Sequence, residues 1–140
     1  MIQSSNNVPK TDADIVKFMR LIWFGILISQ VMIAFLAYNH VEPSAEIVYR
    51  INPQIFLGLG IAAIIASFVV PHLLSQSLNL PPDQIKIESL FTPFVFSLAL
   101  NDACSLMGLM AKIHTNSDQI SMALFLISGI FYLSRFPMED

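Results

Sequence analysis

Residues 53–74 read PQIFLGLGIAAIIASFVVPHLL, a run with no Asp, Glu, Lys or Arg. As a helix it rises roughly 33 Å, enough to cross a hydrocarbon core of about 30 Å. Outward from it lie three more apolar segments. The first runs from about Lys17 to Tyr38, KFMRLIWFGILISQVMIAFLAY, another from about Ser89 to Ala111, and the shortest from about Asp118 to Phe136. Unpaired backbone groups are so costly in lipid that helices are the natural reading of such runs. The expected fold class is all-α: a polytopic membrane protein with four transmembrane helices in a small bundle. Their expected spans are about 17–38, 53–74, 89–111 and 118–136, within one membrane domain, 1–140, that begins with a polar tail at 1–16.

Composition agrees. The chain has 140 residues, 55% hydrophobic and 12% charged, with a mean hydropathy of +0.67. Ordinary soluble domains carry about 25% charged residues. A soluble chain this short would leave much apolar surface in water, whereas lipid matches that surface. The net charge is −3 and the seven Lys and Arg residues are scattered, so no basic run favours nucleic acid. Cys104 is the single cysteine and forms no intrachain disulfide. The opening MIQSSNNVPKTDADI is polar, so a cleavable signal peptide is not expected and the first helix serves as its own insertion signal. No C-terminal lipidation motif is evident.

The connections read as turns. YNHVEPSAEIVYRIN joins the first two helices, and SQSLNLPPDQIKIE joins the next two, with Pro81 and Pro82 favouring an extended stretch. KIHTNSD is short enough to make the last two helices antiparallel neighbours. With four spans, Lys10, Lys17, Arg20, Lys86 and Arg135 share one side, and Arg50 and Lys112 the other. The positive-inside rule then places both termini in the cytoplasm, in a membrane of the bacterial inner-membrane type.

Asn101 and Asp102 interrupt the third segment, FVFSLALNDACSLMGLMA, near its middle. An ionisable group at that depth faces the bundle interior and finds a partner. Two readings of Asp102 stand. It is an ion or proton site, with Asn101, Ser105 and Gln30 as candidate companions, or it joins helices by hydrogen bonds to those same residues, worth about 0.6 to 2 kcal/mol each. Ser97, Asn101, Ser105 and Gly108 recur at spacings of four, four and three, a polar small-residue stripe facing another helix. Gly58, Ala62 and Ala66, with Gly60, Ala63 and Ser67 beside them, form a small-xxx-small pattern that suits close helix contact, within the bundle or between copies.

His40, His72 and His114 have no ligand spacing, so neither metal nor cofactor is expected. Glu88 complements the dipole at a helix start. Trp23 and Tyr132 suit interfacial anchoring, and Arg20 and Arg135 suit snorkelling to headgroups. No nucleotide-binding loop, nucleophile elbow or zinc-protease motif is present, so catalysis of the soluble type has no support.

The stretch LALNDACSLMGLMA, Leu98 to Ala111, resembles the carboxylate helix of rotary ATPase proteolipids on Ala99, Leu100, Asp102, Ala103, Gly108 and Leu109. That resemblance implies an acid that binds a translocated proton or sodium ion, with Asp here for Glu. The chain departs from that family by carrying its acid in the third helix; the second span has no carboxylate, and the fourth has only Asp118 at its very start. The same helix is also similar to those of small bacterial four-helix membrane proteins of unassigned function. The expected function is a structural or accessory subunit, partnered by the bilayer and by further copies or a larger membrane complex. The alternative is proton or ion translocation through Asp102.

Overall fold

A computed structural model describes residues 12–39, 51–77 and 87–137. These form four α-helices: α1 (Asp12–Asn39), α2 (Gln54–Ser77), α3 (Ile87–Thr115) and α4 (Asp118–Leu133). The first three are long and apolar enough to cross a membrane; α4, with 16 residues, falls below that length. At 1.5 Å per residue it rises roughly 24 Å. It ends at Leu133 rather than 136, because Ser134 and Arg135 turn back to bond the carbonyls of Ile130 and Tyr132. At the other end of the chain α1 begins at Asp12, so part of the expected polar tail is helical.

Helix α3 is the central element and packs against the other three. Phe18 stacks on Phe91, so α1 and α3 start at the same end. Phe56, early in α2, stacks on His114, late in α3. The four helices therefore alternate in direction. Two residues, Asn116 and Ser117, separate α3 from α4. Asn116 takes φ 51°, a left-handed conformation that Asn tolerates better than most residues, and Lys112 pairs with Asp118 across the turn.

Buried apolar residues form two small clusters. Trp23, Leu98 and Tyr132 make one, and Ile64, Cys104 and Leu124 the other. Polar residues share the interior: Gln30, Ser67, Ser97, Asn101, Ser105, Ser121 and Ser128 are all buried. Large apolar residues, meanwhile, point outward from every helix, among them Leu21, Ile28, Ile65, Phe96, Leu126 and Ile130.

Two glycines show how the helices approach. A Cβ on Gly108 would lie 3.1 Å from the Ser121 carbonyl oxygen and 3.3 Å from Leu124 Cβ. The α3–α4 contact there is backbone against backbone. Within the bundle, α2 does not make its contacts through Gly58–Ala62–Ala66, which leaves that stripe for contact between copies. Gly58 and Ala62 are exposed and Ala66 is half-buried, while Phe56, Gly60, Ile64 and Ser67 face the bundle. Gly60 sits against Leu124 and Cys104, whereas a Cβ on Gly58 would meet nothing within 4 Å.

Gly108→Val should therefore force α3 and α4 apart at a cost of about 1–3 kcal/mol. Gly58→Val should stay within about 0.5 kcal/mol of the parent. Unfolding midpoints in mixed SDS micelles would check the pair, and equal losses would contradict the assigned face of α2.

Candidate functional site

Helix α4 buries Ser121, Leu124, Ser128 and Tyr132, spaced three, four and four, which places them on one face. Ser128 is the junction of that face. Its hydroxyl accepts from Gln30 Nε2 at 3.2 Å and from Ser105 Oγ at 2.8 Å, and it donates to the Asn101 carbonyl at 3.0 Å. Its own carbonyl accepts from Asn101 Nδ2 at 2.9 Å. A serine hydroxyl has one proton and two lone pairs, so all three are used. Asn101 and Ser105 come from α3 and Gln30 from α1, so this one residue ties three helices together.

Gln30, Asn101 and Ser105 thus lie in one network. Asp102 lies beside it, half-buried, with the Gln30 amide in hydrogen-bonding reach of its carboxyl. Two acceptors are left over: Asn101 Oδ1 and Asp102 Oδ1 are buried without a hydrogen-bond partner among the described residues. A buried polar atom left so is costly unless a proton, water or cation reaches it.

The rest of the α3 stripe is also inside. Gly108 packs on Ser121, and the carbonyl of the buried Ser97 accepts from Arg135 Nη1 at 2.9 Å. Ser128 itself had one sequence signal: Ser121 and Ser128 are seven apart in the shortest segment, a two-turn helical repeat.

Hydrogen bonds continue along α4 on both sides of Ser128. Trp23 Nε1 donates to the Tyr132 carbonyl at 3.2 Å, and Tyr132 Oη donates to the Trp23 carbonyl at 2.5 Å. This reciprocal pair corrects the reading of both rings as interfacial anchors. Trp23 is 4% exposed and Tyr132 0%. Toward the opposite end, Tyr38 Oη donates to Ser121 Oγ at 3.3 Å, and Lys112 lies over the Tyr38 ring.

Arg135 does not reach outward either. It turns in to donate from Nη2 to Ser67 Oγ at 2.7 Å and lies 4.3 Å above the Phe68 ring. Arg20, by contrast, donates to the Pro137 carbonyl and covers Phe136. His72 pairs with Gln76 on the surface of α2, and His40 and the side chain of Glu88 lie outside the described residues. Among the described residues, no three His, Cys, Asp or Glu side chains gather as a metal site would require.

Set against protein-family models, curated proteins and solved structures, the chain matches none. The geometry alone carries the assignment of roles. Ser128→Ala removes three hydrogen bonds at once and should cost about 2 kcal/mol. Ser121→Ala removes one and should cost under about 1 kcal/mol. Unfolding in mixed SDS micelles would rank them, and equal small effects would show that Ser128 is not the junction.

Proposed function

We propose that the chain is an integral membrane protein whose four helices form a compact bundle, serving as a structural or accessory subunit of a membrane assembly. One observation carries the membrane reading: the distribution of polarity is inverted. Gln30, Asn101, Ser105, Ser121 and Ser128 are buried, while Phe18, Leu21, Phe35, Leu59, Phe68, Leu126 and Ile130 are exposed. In water such a surface would drive aggregation; in hydrocarbon it is the expected one. In this reading α4 spans with the other three despite its length, and both termini lie on the cytoplasmic side. Arg135 turns inward and contributes little to that bias, which then rests on Lys10, Lys17, Arg20 and Lys86 against Arg50 and Lys112.

The accessory role is supported by what the polar residues are already engaged in. Gln30, Asn101 and Ser105 are committed to holding α1, α3 and α4 together. Gly58 and Ala62, small and outward on α2, leave a face that a further helix can approach closely. Gentle extraction of the tagged full chain, followed by native mass measurement, tests this role. Recovery with defined partners or as a closed oligomer is expected, and a bare monomer in every mild detergent would contradict it.

A second reading is favoured by the orphaned Asp102 Oδ1. A carboxyl group at mid-helix with an unused acceptor can take a proton from, or hold a cation within, a translocation route. Asp102→Asn preserves shape and removes that capacity. If the reading is right, proteoliposomes holding the variant lose proton or sodium flux at least tenfold while the fold is retained. Flux equal to that of the parent would eliminate it.

A further inference from the structure

A cleft of about 400 Å³ opens on the side of the bundle between α2 and α3, next to the residues that follow α4. Its walls are mostly apolar: Phe68 and Pro71 from α2, Leu90, Pro93 and Phe94 from α3, with Phe136 beside them. Both intrahelical prolines of the described helices, Pro71 and Pro93, line it. Proline removes a backbone donor and crowds the preceding turn of its own helix, which weakens that helix's bonding at this level. One charged group enters this apolar space, the guanidinium of Arg135.

Arg135 is half-buried and held in a fixed orientation. Nη1 donates to the Ser97 carbonyl, Nη2 donates to Ser67 Oγ, and the Phe68 ring supports one face. Among the described residues no carboxylate pairs with it. A guanidinium has five N–H donors, so these two bonds leave three for an acceptor in the cleft. A half-buried guanidinium whose partners among the described residues are all neutral attracts an anion, and a planar fork of donors suits phosphate oxygens.

Depth selects the occupant. Pro71 lies six residues before the end of α2 at Ser77, and Pro93 six after the start of α3 at Ile87. Six residues rise roughly 9 Å, so the mouth of the cleft lies just inside the helix ends, and the guanidinium, held at Ser67 and Ser97 ten residues in, lies roughly 15 Å from them. A soluble anion has no use for the aromatic walls, and a neutral chain has none for the guanidinium. A volume of about 400 Å³ suits part of one acyl chain, being roughly a dozen water-sized units of about 30 Å³.

We propose that this cleft is a binding site for an anionic phospholipid, with an acyl chain lying along Phe68, Leu90 and Phe94 and its phosphate accepting from Arg135. The site rests on the reading of the chain as a membrane bundle. Occupancy covers the apolar walls of the cleft and makes the bundle selective for the lipid around it.

Trp23 is the single tryptophan, and its ring packs 5.1 Å from that of Phe136 at the cleft wall. It can therefore report on chains in the cleft. The full chain is reconstituted in vesicles of phosphatidylcholine carrying equal mole fractions of brominated phosphatidylglycerol or brominated phosphatidylcholine, and Trp23 fluorescence is read. At least twofold greater quenching by the anionic lipid is expected, and loss of that excess in Arg135→Gln. Leu90→Phe fills the mouth of the cleft with the charge intact and should also reduce the excess, which decides the matter if Arg135→Gln fails to fold.

Equal quenching by the two lipids overturns the site while leaving the membrane reading in place. Loss of the excess when millimolar inorganic phosphate is added overturns the lipid in favour of a free anion. Quenching by neither lipid, with protein released from the vesicles by alkaline carbonate, overturns the membrane reading and the site with it.

Discussion

The arrangement of three helices depends on the saturation of one hydroxyl. Ser128 accepts from Gln30 and Ser105 and donates to the Asn101 carbonyl, so α1, α3 and α4 meet at a hydroxyl with no lone pair or proton to spare. Shape enforces the same register. Gly108 lets α3 come against the Ser121 backbone, and a closer or more distant α4 would break the bonds around Ser128. Tyr132 and Trp23 then exchange bonds through each other's carbonyls. Apolar packing alone would leave α4 free to slide or rotate, since Leu, Ile and Phe fit many registers; directional bonds do not.

That network separates two residues adjacent in sequence. Asn101 is fully buried, with its amide nitrogen fixed on the Ser128 carbonyl. Asp102, about 100° further round α3, is half-buried and lies at the border of the network. The side-by-side polar pair in an apolar run is thus two different devices. The asparagine determines where helices cross. Each keeps one side-chain oxygen without a hydrogen-bond partner among the described residues, but only the aspartate can take up a proton there.

Much of this is written in the sequence as length and spacing. Apolar runs long enough to span mark α1, α2 and α3, and the short KIHTNSD stretch marks the α3–α4 hairpin because a turn is all it has room for. The phase of a helix is harder to read. Gly58 and Gly60 differ by about 200° around α2, and both have small residues one turn away; which one faces inward is decided by Leu124 and Cys104 on other helices. Trp23 and Arg135 differ from their sequence expectation for a related reason. An aromatic or basic residue near a helix end suits an interfacial position, but here the acceptors lie inward, at the Tyr132 and Ser97 carbonyls. Ser128 gives a weak signal, because a serine in an apolar run is cheap to bury wherever it can bond its own helix. Its value comes from three partners distant in sequence.

Helix α4 brings these constraints together. A rise of roughly 24 Å is short for a core of about 30 Å, so on its own it would be a poor span. Its outward residues Met122, Leu126, Ile130 and Leu133 are exposed and apolar, so it is equally unsuited to water. What fixes it is the opposite face, where Ser121, Ser128 and Tyr132 are hydrogen-bonded to α1 and α3. If the bundle lies in a bilayer as proposed, a short helix bonded in this way tolerates local thinning, because mismatch costs only fractions of a kcal/mol per ångström while several interhelical bonds hold it in place. At one end Lys112 and Asp118 close the hairpin; at the other Arg135 reaches back to Ser67 and Ser97. The charge that would pull the end of α4 toward water is thereby used to secure it to α2 and α3.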